Sequence, residues 1–284
     1  MSFWGFSFVW TKIVYEYLLP LSTIFIRLTF AALILVSIKF LFRIKIKPAK
    51  GDMKWLFLLS VTEPFMYFLG ESFGMQYISS TLASVIISTI PVFSIIIAYI
   101  FVNEKLNWLN ITGIFISFFG ILIMVLEPNL SIKESPLGIG LMMIAVFAAV
   151  FYTIFVKKLA AKYKPFTILI WQNIFGSLLF LPLFIGFEWT DFSQVEFDFK
   201  LVRTLSQLII FSSLLAFFLF IHVVDKLGIT KTNVFTNFVP VVTAITAWIL
   251  LPNEDPSLKT AFGILVVILG IYFSQLKLKT KPLQ

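Results

Sequence analysis

Long apolar runs, separated by short clusters of charge and turn residues, make up most of this chain. They extend from Phe3 to Leu19, Leu21 to Phe42, Met53 to Met75, Leu82 to Val102, Trp108 to Leu126, Leu137 to Val156, Phe166 to Phe187, Leu205 to Val224, Val234 to Leu251 and Leu258 to Leu276. Each is close to the roughly 20 residues that carry a helix across a bilayer core. The runs lack the strict alternation of barrel strands, and a backbone in hydrocarbon must satisfy its own polar groups. The pattern therefore predicts ten spanning helices. Pro20, Pro48, Pro128, Pro136, Pro165, Pro252 and Pro256 fall in the connections, where a missing N–H and a fixed φ start or stop helices.

Composition agrees with that reading. Of 284 residues 60% are apolar, 18% aromatic and 13% charged, whereas soluble domains carry about 25% charge. Ten spans take about 200 residues and leave no room for a separate soluble domain. The absence of cysteine excludes disulfides, thiolate metal sites and cysteine nucleophiles, and a single histidine excludes a multi-histidine site, so no metal or cofactor is expected. The net charge of +8 points to cytoplasmic loops rather than to nucleic acid. With the N-terminus inside, the inner segments hold Arg43, Lys45, Lys47, Lys50, Lys54, Lys105, Lys157, Lys158, Lys162, Lys164, Lys226, Lys231, Lys277, Lys279 and Lys281. The outer ones hold Lys133, Lys200, Arg203 and Lys259, with the acids Glu188, Asp191, Glu196 and Asp198. Both termini are thus expected in the cytoplasm. The opening segment has no basic region and no cleavage pattern, so no removable signal peptide is expected.

The two halves repeat. KIVYEYLLP at Lys12–Pro20 aligns with KKLAAKYKP at Lys157–Pro165, an offset of 145; Pro91 falls on Pro240 at 149, and Glu104, Gly113 and Gly120 fall on Glu254, Gly263 and Gly270 at 150. The expected organisation is a five-helix repeat over residues 1–128, a second over 136–277, and a basic cytoplasmic tail, 278–284. An odd number of spans per copy turns the second copy upside down, the inverted-repeat plan of secondary transporters.

These residues carry a family likeness. Trp4-Gly5-Phe6-Ser7-Phe8 followed by Lys12, then Pro20 and Arg27, the stretch Met75–Leu106 with Pro91 and Glu104, the Gly113 and Gly120 spacing, and Pro240, Glu254, Gly263 and Gly270 in the second copy resemble the EamA branch of the drug/metabolite transporter superfamily. The likeness covers nearly the whole chain. It implies a membrane transporter of the bacterial cytoplasmic membrane, with the fifth and tenth helices flanking a cavity built by the other eight. Two departures stand out. The first run is only 17 residues with Lys12 and Glu16 inside it, so either an upstream start or a tilted, incomplete first helix is expected. Glu63 and Glu71 stand in the third run, where the family pattern has apolar or small residues.

Lys12, Arg27, Glu63, Glu71 and His222 all lie within spanning runs. Four central charges would cost roughly 10–14 kcal/mol on insertion scales, so they must be paired, neutralised or wet. Glu63 and Glu71, eight apart, are separated by about 80° around a helix and can lean toward one cavity. One reading is a protonatable pair that couples protons to substrate; the other is a kink cap at Pro64 and a structural bridge from Glu71 to Lys12 or Arg27. His222 reads as an interface anchor. Trp171, Gln172 and Asn173, with Gln172 opposite Arg27 in the repeat, and Ser84, Ser88, Thr89, Asn233 and Asn237 are candidates for a polar lining or for interhelical hydrogen bonds. Glu104 and Glu254 read as structural acids ahead of the next helix, and Gly113, Gly120, Gly263 and Gly270 as close packing.

The leading expectation is a secondary exporter of small organic metabolites, amino acids or drug-like compounds, acting by alternating access with protons as an optional coupling ion. The alternatives are a sugar-phosphate or nucleotide-sugar antiporter, which needs paired basic residues at depth, and an intramembrane enzyme, for which only His222 and Asp225 are available. The lipid bilayer and a small solute are the partners; oligomeric state is open.

Overall fold

The computed structural model describes residues 1–94, 108–125, 134–227, 232, 234–251, 257–274 and 276. Among them there are ten helical segments and no strand: α1 (Ser2–Val14), α2 (Pro20–Leu41), α3 (53–74), α4 (Ser80–Ser94), α5 (Trp108–Val125), α6 (Pro136–Ala160), α7 (Pro165–Phe192), α8 (Phe199–Lys226), α9 (234–250) and α10 (Leu258–Ser274). Pro20, Pro136 and Pro165 each open a helix at its first position, where the absent N–H costs nothing. Among the described residues four helices, α2, α6, α7 and α8, are long and apolar enough to cross a bilayer on their own. Helix α1 ends at Val14, earlier than its apolar run, so Glu16 stands in the connection and is exposed rather than within a span. Helix α8 begins at Phe199, six residues ahead of the apolar run, because Asp198 caps it by accepting from Leu201 N at 2.7 Å.

Packing follows a two-fold rule. Helix α1 packs on α8 and α9, and its counterpart α6 packs on α3 and α4; α2 meets α8 while α7 meets α3; α2·α7, α4·α9 and α5·α10 are each their own counterparts. The connections show the sense of the repeat. That between α1 and α2 bonds to the one between α7 and α8, through Tyr17 Oη to Asp198 at 3.0 Å and Lys200 Nζ to Glu16 at 2.6 Å. Its counterpart between α6 and α7 bonds instead to the one between α2 and α3, through Lys162 and Tyr163 to Asp52 at 3.1 and 2.7 Å. The two sites lie at opposite ends of the 22-residue helix α2, so equivalent connections sit at opposite ends of the bundle.

Glycine makes the α5–α10 seam. A Cβ on Gly113 would strike the backbone of Gly270 and Ser274, and one on Gly270 would strike Ser117 and the Gly113 carbonyl. Backbones that approach this closely gain dispersion contact where lipid offers no hydrophobic drive, and Asn110 adds a bond to Ser274 O at 2.6 Å. The outward faces stay apolar: Phe115 and Phe119 on α5, Phe262 and Leu265 on α10, and Trp248 and Ile249 on α9 are all exposed. A continuous apolar exterior of this kind suits hydrocarbon, not water.

Candidate functional site

Among the described residues five helices are interrupted: α7 by a π segment at Phe184–Glu188 with no counterpart in α2, and four others in matching pairs. Helix α3 carries a π segment at Val61–Met66, with Glu63 in extended conformation (φ −146°, ψ 118°) just before Pro64; α8 carries one at Leu208–Ala216. Helix α4 loosens at Ser88 and Thr89, ahead of Pro91. Helix α9 carries a 3-10 turn at Val234–Asn237, ahead of Pro240. Each proline lacks an N–H and crowds the preceding turn. In a membrane protein broken helices are stable only where they are buried or face a wet cavity, and pairs of them in equivalent positions mark the binding site of many transporters.

A cavity of about 60 Å³ lies among these breaks, room for a few water molecules. Among the described residues its lining comes from α1 (Trp4, Ser7, Phe8), α2 (Arg27), α3 (Glu63, Tyr67, Phe68, Glu71), α4 (Ile87, Ser88, Ile90), α6 (Ala149, Tyr152, Thr153), α8 (Ser212, Phe217, Phe220) and α9 (Thr236, Val239). Helices α5, α7 and α10 contribute none of these. Trp4 closes one side against Phe217 and Phe220, with ring centroids 5.2 Å from each.

The charged groups of the cavity are held without ion pairing. Arg27 is 2% exposed; its Nε donates to Ser213 Oγ at 3.3 Å and its Nη2 to Ser212 Oγ at 3.4 Å. The guanidinium lies 4.8 Å from the centre of the Phe68 ring, a cation–π contact. Among the described residues no carboxylate comes within 4.0 Å of Arg27, and no basic group comes that close to Glu63 or Glu71, the recorded ion pairs all lying elsewhere. Tyr67 Oη donates to Glu71 Oε1 at 3.0 Å. Arg27 attracts the charge of Glu71, whereas Glu63 feels the like charge of Glu71. Both carboxyls are buried.

Not every candidate from the sequence reaches this cavity. Arg27, Glu63, Glu71, Ser88 and Trp4 line it. Lys12, Trp171, Gln172 and Asn173 do not. Lys12 Nζ donates to the Met75 carbonyl, at the end of α3 where the helix dipole is negative. Gln172 Oε1 accepts from Tyr152 Oη at 3.1 Å, behind the cavity wall, and Asn173 bonds its own helix at Leu169 O. Trp171 packs on Phe175, and its buried Nε1 has no partner among the described residues. Gly5 sits where α1 meets α9, its carbonyl accepting from Thr243 Oγ1 at 3.0 Å. His222 is exposed and lies outside the cavity. Glu104, Glu254 and the Asn237 side chain lie outside the described residues. Sequence reasoning passed over Tyr67, Tyr152, Ser212 and Ser213. It also grouped Glu188 with the loop acids, but this residue is buried and accepts from Leu21 N at 3.1 Å, Ser22 N at 2.6 Å and Ser22 Oγ at 2.7 Å. It supplies the anion that the first turn of α2, opened by a proline, cannot supply itself.

The EamA-like transporter family matches the chain twice, over residues 1–126 and 136–276. The chain belongs to that family. An Archaeoglobus fulgidus protein named an uncharacterized transporter is 31% identical to this EamA-like chain over 276 residues, covering 96% of the chain and 94% of that protein. The uncharacterized transporter YoaV of Bacillus subtilis is 25% identical over 275 residues, covering 95% and 92%. One crystal structure shares the fold with a TM-score of 0.69 at 12% identity, over 96% of this chain and 97% of the other. The family match thus falls separately on each five-helix half, and the cavity of this EamA-like protein lies between them.

Proposed function

We propose that this protein is a secondary active exporter of small organic metabolites that works by alternating access, with protons as the coupling ion and both termini in the cytoplasm. The observation that carries the reading is the cavity, lined by Arg27, Glu63 and Glu71, where broken helices of the two halves meet. Uncompensated charge inside a membrane protein is expensive and marks a substrate or ion path. Alternating access requires each end of the bundle to open in turn, and each end is tied by bonds between the halves that can break: Glu188, Asp198 and Lys200 at one, Asp52 with Lys162 and Tyr163 at the other. The two carboxyls of α3 are the proton-binding candidates. The excess of Lys and Arg in alternate connections supports the orientation.

A sugar-phosphate antiporter fits less well. Phosphate recognition wants two or more converging cations, and the described lining holds Arg27 alone against two carboxylates, with Lys12 engaged at Met75. The test is reconstitution into liposomes with an imposed proton gradient and a panel of labelled amino acids and amines, comparing the unmodified protein with Glu71→Gln and Glu63→Gln. Solute movement that follows the gradient, and loses that dependence in a variant, supports the proposal. Equal movement by all three proteins under every gradient removes the carboxyls from coupling; an enzymatic product without movement removes the transporter reading.

A further inference from the structure

We propose that the cavity selects protonated organic amines with an aromatic or other apolar body, the ammonium seated on Glu63; this assignment rests on the transport reading above. It follows from a count of charge and of free hydrogen-bonding capacity. Two carboxylates and one guanidinium face the cavity among the described residues. The guanidinium is partly engaged: Ser212 and Ser213 take two of its five donors, Phe68 covers its face, and Glu71 is the carboxylate whose charge it attracts. Glu71 receives the Tyr67 hydroxyl and is the carboxylate that Arg27 attracts. Glu63 is left with no basic group within 4.0 Å among the described residues, on an extended residue that interrupts the π segment of α3.

An ammonium brings three donors and, once Glu63 has released its proton, the positive charge that its carboxylate lacks. The cavity, at about 60 Å³, takes the ammonium end, and the body is received as one end of the bundle opens, since Trp4, Phe8, Tyr152, Phe217 and Phe220 present rings that accept both apolar surface and cationic charge. An anion would meet two like charges. A zwitterion would set its carboxylate beside Glu71, the anion that Arg27 already attracts.

The experiment is isothermal titration calorimetry on the purified full chain in lipid nanodiscs, with three probes that share one aromatic body and differ in charge: phenethylammonium, 3-phenylpropionate and phenylalanine. Phenethylammonium is expected to bind at least about tenfold more tightly than either other probe, a factor that corresponds to ~1.4 kcal/mol. Glu63→Gln weakens it by about tenfold or more, Glu63→Asp keeps it within about threefold, and Arg27→Gln, which removes a like charge, tightens it. Tighter binding of the acid or of phenylalanine, absence of amine binding, or equal amine binding by the unmodified protein and a folded Glu63→Gln overturns the assignment. Loss in both Glu63→Gln and Glu63→Asp, with both variants melting as the unmodified protein does, overturns it too, since the charge alone is then not what the ligand reads. Proteoliposome flux separates this proposal from the transport reading. Phenylalanine movement without amine binding sinks only the amine assignment, whereas tight amine binding without movement of any solute sinks transport.

Discussion

Asp52 and Asp198 hold the same place in the two halves, the residue before a helix, yet they do different work. Asp198 caps its own helix through Leu201 N and also accepts from Tyr17 of the other half. Asp52 makes no cap bond to α3; its oxygens go to Lys162 and Tyr163 of the other half, and Tyr163 Oη accepts in turn from Ala49 N at 3.1 Å. The α1–α2 end of the bundle has, besides Asp198, the buried Glu188 joined to the first turn of α2. The Asp52 end has no such buried carboxylate among the described residues. One end is therefore locked by bonds inside the protein, the other by a cluster nearer water. Hydrogen bonds in low dielectric are stronger, and leaving their partners bare costs more. The difference implies that the Asp52 end opens at the smaller cost.

The largest effect expected from this contrast comes from Glu188→Ala. It strips the acceptor from two backbone N–H groups and one hydroxyl, and leaving such buried donors unmade costs about 3 kcal/mol. Thermal melting of the detergent-solubilised protein should fall by about 6 °C or more. A melt unchanged within error would mean that water replaces the carboxylate and that the α1–α2 end is no more secure than the other.

Tyr163→Phe is expected to be milder. It removes the donor to Asp52 and the acceptor for Ala49 N while leaving the ring, at about 1 kcal/mol because both partners can turn to water. Proteolysis or labelling at introduced cysteines should show the Asp52 end opening more often, with the Glu188 end unchanged. Equal opening of both ends would show that they act as one unit.

A third effect is read through pH. The Tyr163 hydroxyl, then the Lys162 ammonium, hold the Asp52 carboxyl below its ordinary value of 3.8. A carboxylate with a depressed pKa adds stability that is complete above its unfolded value and is lost as pH falls through the folded one. Below about pH 4 the Asp52 end should loosen, and Asp52→Asn should remove that dependence from a labelling assay at this end. A pH profile unaffected by Asp52→Asn would assign the acid sensitivity to other groups.

How far this contrast was legible beforehand depends on the kind of signal. Ten apolar runs translate directly into helices, because a chain that must satisfy its backbone in hydrocarbon has little other choice. Arg27, Glu63 and Glu71 stood out for the same reason: charge in an apolar run needs a partner or water, and all three line the cavity. Glu188 did not, since beside Asp191, Glu196 and Asp198 it reads as one more solvated acid until α7 is seen to bring it to the start of α2. Tyr152, Ser212 and Ser213 resemble ordinary interior residues; only the meeting of α2 with α8, and of α6 with α7, gives their hydroxyls a purpose. For Trp171, Gln172 and Asn173 the sequence left two readings open, a polar lining or interhelical hydrogen bonds, and Gln172 bonds Tyr152 of another helix. Repeat equivalence places Gln172 opposite Arg27, but α7 adds no residue to the described lining. Symmetry constrains backbones more tightly than it constrains the chemistry of side chains.

The smallest effect should come from the exposed pair of the α1–α2 end. Lys200 and Glu16 approach to 2.6 Å, yet both side chains are half exposed, at 50% each. Water screens such a pair and two long side chains must be ordered to form it, so a double-mutant cycle should return only about 0.3–0.5 kcal/mol. Raising salt to ~1 M, where the Debye length is about 3 Å, should erase even that. The pair at the other end differs: the Asp52 side chain is 14% exposed while Lys162 is 54% exposed, and its carboxylate also receives the Tyr163 hydroxyl. A cycle on Asp52 and Lys162 should therefore return the larger coupling and keep part of it at high salt. Were the two cycles to agree in size and in salt dependence, the ion pairs would be equivalent, and any difference in opening between the ends would rest on Glu188 alone.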